Sequence, residues 1–254
     1  MLIDTHSHIY TEDFSHDLDD VVQNAYNNNI KKIVLPNINS GTVKRLLDLT
    51  DSYPHLCYPL MGLHPTSVSS DYREELQAVE YWLEKRRFYG IGEIGIDLYW
   101  DKTYANEQAE VFRHQLKLAK SLKLPVVIHL RNSFNEVYQI VKEEQDGSLK
   151  GIFHCFSGDQ TEAHKIIDLG FFLGIGGVVT YKNSNLDDVL LHVELQNLVL
   201  ETDAPYLPPM PKRGRRNESS YLIYIAQKIS EIYEAPVEKV AEITTFNARN
   251  LFGF

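Results

Sequence analysis

The chain has 254 residues, 43% of them hydrophobic and 24% charged, with a formal net charge of -10. This is globular composition, and its acidity excludes a tight duplex binder that works by broad phosphate neutralisation, though not an enzyme that touches a few phosphates. No run approaches the roughly 18 apolar residues of a membrane span, MLIDTHSH has neither the basic nor the apolar region of a signal peptide, and Cys57 and Cys155 are too few for a disulfide framework, so a cytoplasmic chain with reduced thiols is expected.

In chain order, strand-like apolar runs fall at Leu2–Thr5, Lys32–Leu35, Cys57–Gly62, Tyr89–Ile94, Val126–His129, Ile152–His154, Phe171–Ile175 and Leu198–Glu201. They alternate little, as parallel strands buried on both faces do. Amphipathic segments separate them, among them Asp71–Arg87 and Asn106–Leu122. In the second, Val111, Phe112, Gln115, Leu118, Ala119 and Leu122 keep the spacing of one helix face, and Pro125 marks the stop. Closing helices are expected at about Glu218–Ser230 and Pro236–Leu251. Alternation of this kind implies right-handed βα units. Eight units in this length predict an α/β fold, a single (β/α)8 TIM-barrel domain over 1–254, with a doubly wound open sheet as the alternative. Pro208, Pro209 and Pro211 come after the eighth run in a loop that reads as a lid.

Polar residues gather at the carboxyl ends of these runs. His6 and His8 end the first and, as residues i and i+2 of a strand, point to one side about 7 Å apart. His64 follows the third run in GLHP, Glu93 and Asp97 lie in GEIGID, His129 and Arg131 end the fifth, His154 the sixth, and Glu201 and Asp203 the eighth. In a barrel all these ends face one mouth, where barrel active sites are built. Each position alone has a blander reading: a hydrogen-bonded core histidine, a turn carboxylate between Gly92 and Gly95, a capping aspartate. Together, four histidines and two carboxylates exceed what one catalytic ion takes from a protein. The set reads as two divalent ions sharing a bridging carboxylate, for which Glu93 is chosen by its place in chain order. Imidazole with carboxylate suits Zn²⁺, Mn²⁺ or Fe, and carboxylate with water suits Mg²⁺.

The chain resembles the TatD-type metal-dependent deoxyribonucleases of the amidohydrolase-like barrels. The resemblance rests on IDTHSH at 3–8, GLHP at 62–65, GEIGID at 92–97, LPVVIHLR ending at Arg131, HCFSG at 154–158, ETDAPYL at 201–207 and NARNLF at 247–252. It implies a TIM barrel and a metal-dependent hydrolase of DNA phosphodiesters, often a 3′ exonuclease, with Mg²⁺ as the expected metal. It places metal ligation on His6, His8, Glu93, His129, His154 and Asp203, the set already reached from the strand ends. One departure is Asn217-Glu218-Ser219, where the family pattern has Asn-Glu-Pro; loss of the proline is expected to loosen this loop.

In the expected chemistry His6, His8 and Asp203 hold one ion, His129 and His154 the other, and Glu93 bridges. Two ions roughly 3.5–4 Å apart activate water and offset phosphoryl charge, and Asp203 accepts the proton of the attacking water. Asp4 and Glu201, one step deeper, are candidates to orient imidazoles, the alternative being buried polar residues satisfied by neighbouring backbone. His64, Arg131 and the run Lys212, Arg213, Arg215 and Arg216 are candidates to meet substrate phosphates, and Tyr99, Trp100 and Tyr104 to stack on bases of single-stranded DNA; the alternatives are a capping histidine in the GLHP turn, a solvated basic loop and a hydrophobic loop packed on the rim. No membrane and no obligate protein partner is expected. The rival readings are a hydrolase of a small-molecule ester, amide or lactone on the same metal scaffold, and a barrel kept only for binding.

Overall fold

The computed structural model describes all 254 residues. The strands are β1 Leu2–Asp4, β2 Ile30–Leu35, β3 Cys57–Pro59, β4 Ile91–Asp97, β5 Val126–Arg131, β6 Gly151–Phe153, β7 Phe172–Ile175 and β8 Leu198–Leu200. The helices are α1 Leu18–Asn27, α2 Val43–Ser52, α3 Tyr72–Lys85, α4 Ala105–Leu122, α5 Phe134–Glu144, α6 Gln160–Asp168, α7 Leu186–Leu190, α8 Leu222–Ile232 and α9 Val237–Phe252. The strands pair in parallel in two arcs, β1-β2-β3 and β4 through β8 in sequence order. A parallel bridge between Met61 and Ile91 joins the arcs at one seam. At the other, the Thr5 amide donates to the Leu200 carbonyl at 3.0 Å and the His8 amide to Ala204 at 2.7 Å. The sheet is thus a closed barrel, the TIM-barrel architecture.

One apolar layer inside explains where the polar layer falls. Ile3, Val34, Leu60, Val127, Ile152 and Val199 form a buried cluster closed by Ala248 and Phe252 of α9. Side chains alternate along a strand, so two residues beyond Val127, Ile152 and Val199 come His129, His154 and Glu201. The strand period lifts these groups above the apolar plug.

β4 runs three residues beyond the expected end at Ile94. Gly95, Ile96 and Asp97 pair with His129, Leu130 and Arg131. The glycines beside Glu93 read as turn signals, but Gly95 serves a close approach inside the strand. Its φ is +147°, and a Cβ there would lie 1.9 Å from the His129 carbonyl oxygen. No helix is long and apolar enough to cross a membrane.

Candidate metal centre

Glu93 projects from β4 into the barrel, and its two carboxylate oxygens face different histidines. Oε2 lies 3.1 Å from His6 Nε2 and 3.3 Å from His8 Nε2. Asp203 Oδ1 closes that side at 3.7 and 3.9 Å from the same two nitrogens. Oε1 lies 2.7 Å from His129 Nδ1 and 2.8 Å from His154 Nε2. The six residues expected to ligate metal are therefore brought together, in two groups divided by one carboxylate.

The donors suit metal chemistry. Tyr10 Oη donates to the Pro36 carbonyl at 2.6 Å, and His8 Nδ1 lies 3.1 Å from that same oxygen. The phenol has one proton, so toward His8 it can only accept. His8 therefore carries its proton on Nδ1 and turns the Nε2 lone pair inward. That lone pair lies 3.0 Å from His6 Nε2, while the buried His6 Nδ1 has no partner. Converging nitrogen donors around a carboxylate are the set a divalent ion takes. On the other side Asp97 Oδ2 lies 2.9 Å from His129 Nε2 and fixes the proton there, which leaves Nδ1 as the donor.

His64 is different. Its Nδ1 accepts the Thr66 backbone amide at 3.1 Å, so the proton of the neutral ring sits on Nε2, 3.4 Å from Glu93 Oε1. His64 is built to donate a hydrogen bond rather than to ligate. Burial lowers its imidazole below the ordinary range despite Glu93, which keeps it neutral.

The remaining charges are set by burial and neighbours. Burial would raise Glu93, but the surrounding histidines, His154, His6, His64 and His129, hold it well below the usual carboxylate range. Burial would lower His154, yet Glu93 and Glu201 raise it well above an ordinary imidazole. His6 is held low by burial and by His154. Asp203 is raised to about 6 by burial, with His154 and His8 opposing the rise and Glu93 and Glu201 adding to it. Its backbone is in the left-handed region at φ +57°, rare for a residue other than glycine and common at functional sites.

Asp4 does not orient an imidazole; it is the buried polar residue satisfied by its neighbours, the other of the two readings. Its carboxylate accepts the Thr202 amide at 2.9 Å and the Thr202 hydroxyl at 2.6 Å, with His6 contributing only its backbone amide at 3.4 Å. Asp4 thus clamps the turn that presents Asp203, and burial pushes its carboxyl up to about 7. Glu201 does lie against an imidazole: Oε1 is 3.3 Å from His154 Nδ1, without the angle of a hydrogen bond, and accepts the Cys155 amide at 2.5 Å.

The basic run divides. Arg216 is committed to Asp17, its two terminal nitrogens 2.9 and 2.6 Å from the carboxylate, and lies on the Phe14 ring; it fastens the loop to the first helix rather than offering a free cation. Arg213 lies over Tyr181 at 4.3 Å, Lys212 over Tyr221 at 5.0 Å, and Arg215 is exposed. The loop that lacks the proline is tied to its surroundings by hydrogen bonds. Buried Asn217 donates to the Thr202 carbonyl at 2.7 Å and the Tyr206 carbonyl at 2.6 Å, and the Met210 amide donates to Thr180 at 2.8 Å. Arg131 stands at the end of β5 and lines a cleft of about 650 Å³ together with Tyr99, Asn132, His154 and Cys155. Tyr104 packs into a neighbouring apolar cluster.

Tyr10, and Asp97, which the sequence places at the strand end without a role, both carry a sequence signal. Tyr10 follows His8 at the same two-residue step as His8 follows His6. Asp97 follows Glu93 by four, an even number that keeps it on one strand face.

A family model described as TatD-related DNase matches residues 3–253. The chain belongs to that family. The metal-dependent hydrolase YabD of Bacillus subtilis is 37% identical over 99% of both chains. The crystal structure of YjjV, a TatD homologue from Escherichia coli, is 30% identical, with a TM-score of 0.92 over 100% of this chain and 98% of that one. A TatD-family hydrolase from Entamoeba histolytica shares the fold, with a TM-score of 0.84, 23% identity and coverage of 99% and 97%. This TatD-family chain is thus a member of a group of metal-dependent hydrolases, and its converging donors are of the kind such enzymes use.

Proposed function

We propose that the protein is a metal-dependent deoxyribonuclease that hydrolyses DNA phosphodiesters, acting from the 3′ end of single strands. The observation that carries this reading is the split Glu93 carboxylate beside a cleft lined by Arg131. His6, His8 and Asp203 would hold one divalent ion, His129 and His154 a second, with Glu93 between them. When bound, the ions supply Lewis acidity toward phosphoryl oxygens and activation of water. The chain supplies the rest. His64 Nε2–H and the Arg131 guanidinium donate to phosphoryl oxygens, where charge grows during attack. Asp203, aimed at the Glu93 carboxylate and the His6–His8 pair from its turn, accepts the proton of the attacking water. Glu93, held low by its histidines, stays ionised throughout. Asp4 and Asn217 hold the turn that aims Asp203.

The test is cleavage of a 3′-labelled single-stranded oligonucleotide by the protein with Mg²⁺, with Mn²⁺ and with EDTA, alongside Glu93→Gln. Metal-dependent loss of the label, abolished by Glu93→Gln, is expected. No cleavage by folded, metal-loaded protein that instead turns over a small ester, amide or lactone would move the assignment to a small-molecule hydrolase.

A further inference from the structure

The apolar stripe of α4 carries a polar residue near its middle. Gln115 is fully buried, one turn from Val111 on one side and from Ala119 on the other. A buried amide is costly unless both its ends are paired, and both are spent on one residue of another segment. Oε1 accepts the Leu63 amide at 2.8 Å, and Nε2 donates to the Leu63 carbonyl at 3.2 Å. Leu63 immediately precedes His64. It lies beyond the end of β3 at Pro59 and beyond the bridge that Met61 makes to Ile91, so its backbone has left the sheet and needs other partners. The side chain of Gln115 takes the place of a neighbouring strand. The flanking residues are held too: Asn37 Nδ2 donates to the Gly62 carbonyl at 2.9 Å, and the His64 amide to the Ile38 carbonyl at 2.8 Å. The Leu63 side chain packs in one cluster with Val111 of the same helix.

We infer that Gln115 is a positioning residue for His64, through which a helix on the outside of the barrel aims the imidazole that donates to the substrate phosphate. The inference rests on the reading above in one respect, that His64 donates to a phosphoryl oxygen. The Leu63 amide belongs to the peptide shared with Gly62, and the Leu63 carbonyl to the peptide shared with His64. Gln115 grips both, so neither peptide plane can turn, and the second of them sets the direction in which the His64 side chain leaves the backbone. The contact of His64 Nδ1 with Thr66 cannot do this, because Thr66 is two residues away and travels with the same loop. The tolerance is small. His64 Nε2 lies 3.4 Å from Glu93 Oε1, and its ring centre 4.6 Å from that of His129. A shift of about 1 Å takes a donor out of hydrogen-bond reach, and misplacement on this scale by a change far from the chemistry costs up to about 100-fold in rate.

The experiment compares native protein, Gln115→Met, His64→Ala and the double variant, all metal-loaded, on a single-stranded oligonucleotide. Methionine keeps the volume of glutamine and removes both hydrogen bonds. Folded Gln115→Met is expected to lower kcat by about 10- to 100-fold with little change in KM, the pattern of an interaction made in the transition state. In the His64→Ala background the same substitution is expected to lower kcat by less than about twofold, because the group it acts through is gone. Losses that multiply, or native kcat in folded Gln115→Met, overturn the role. Should the methionine variant not fold, Gln115→Asn, which draws the amide back by one methylene, enters the same cycle and is judged by the same outcomes. A second readout separates the role from the nuclease reading. In protein with labelled histidine and Mg²⁺ present, the nuclear Overhauser cross-peak between the His64 and His129 rings is compared with that between His6 and His154, which stack at 4.0 Å. The Gln115 variant is expected to weaken the first and leave the second. That selective loss supports the role even if no oligonucleotide is cleaved; a His64–His129 cross-peak of native strength in the variant overturns it whatever the substrate.

Discussion

Replacing Tyr10 with Phe removes one oxygen that has two duties. Toward Pro36 the phenol is a donor at 2.6 Å, and toward His8 Nδ1 it is an acceptor at 3.1 Å. The ring is buried, and Phe keeps its shape. Loss of the acceptor lets His8 move its proton to Nε2, the nitrogen that faces Glu93, His6 and Asp203. Outer partners of metal-ligating histidines are typically worth about 10–100-fold in metal affinity, or about 1.4–2.7 kcal/mol. Loss of the donor leaves the buried Pro36 carbonyl unpaired, at a cost of about 1–3 kcal/mol to the fold. The two effects are read separately. Urea unfolding in EDTA reports the carbonyl, and calorimetric titration with Mn²⁺ under folded conditions reports the histidine. A variant that is destabilised in EDTA yet binds Mn²⁺ as tightly as the native chain would falsify the proton argument and reduce Tyr10 to a prop in the core.

Gly95→Ala is expected to cost about 3 kcal/mol or more, because a side chain meets both an unfavourable φ and the β5 backbone at His129; a urea midpoint within experimental error of native would refute the close-approach reading. Glu144→Gln tests charge outside the site. Burial would raise this carboxyl, but Arg113 at 2.9 Å and Lys120 at 3.1 Å hold it below the ordinary range. A depressed carboxyl stabilises the fold above its unfolded value near 4.5 and loses that contribution as pH falls through the folded value. The variant should therefore be weaker by up to ~1 kcal/mol at pH 7, with the gap closing in thermal melts as pH falls below the unfolded value of 4.5 and through the lower folded one; a gap that does not shrink with falling pH contradicts the ion-pair reading. Arg216→Ala should lower the melting temperature by freeing the loop from Asp17, whereas Arg215→Ala should leave it unchanged; the reverse order would assign the loop's anchor to the wrong arginine.

Much of the barrel could be read from eight apolar runs, and much of the centre from the polar residues at their carboxyl ends, because a strand's period of two carries direction. Val127 pointing inward makes His129 point inward, and the same step takes Ile152 to His154 and Val199 to Glu201. Glu93 was readable from its place in chain order between the two groups of histidines, although the glycines beside it suggested a turn. A glycine that allows close backbone approach and one that allows a turn look alike in sequence. Pairing across the chain could not be read. Asp4 and Thr202 are 198 positions apart, and only their contact shows that Asp4 serves the Asp203 turn rather than an imidazole. Arg216 looks like its neighbours Arg213 and Arg215 until Asp17 is beside it. The protons obey the same logic. His8 and His64 both face Glu93, yet the phenol of Tyr10 makes one a lone-pair donor and the amide of Thr66 makes the other a hydrogen-bond donor. Sequence period brings a histidine to the mouth of the barrel; the atom behind its far nitrogen decides whether it can bind metal or donate to substrate.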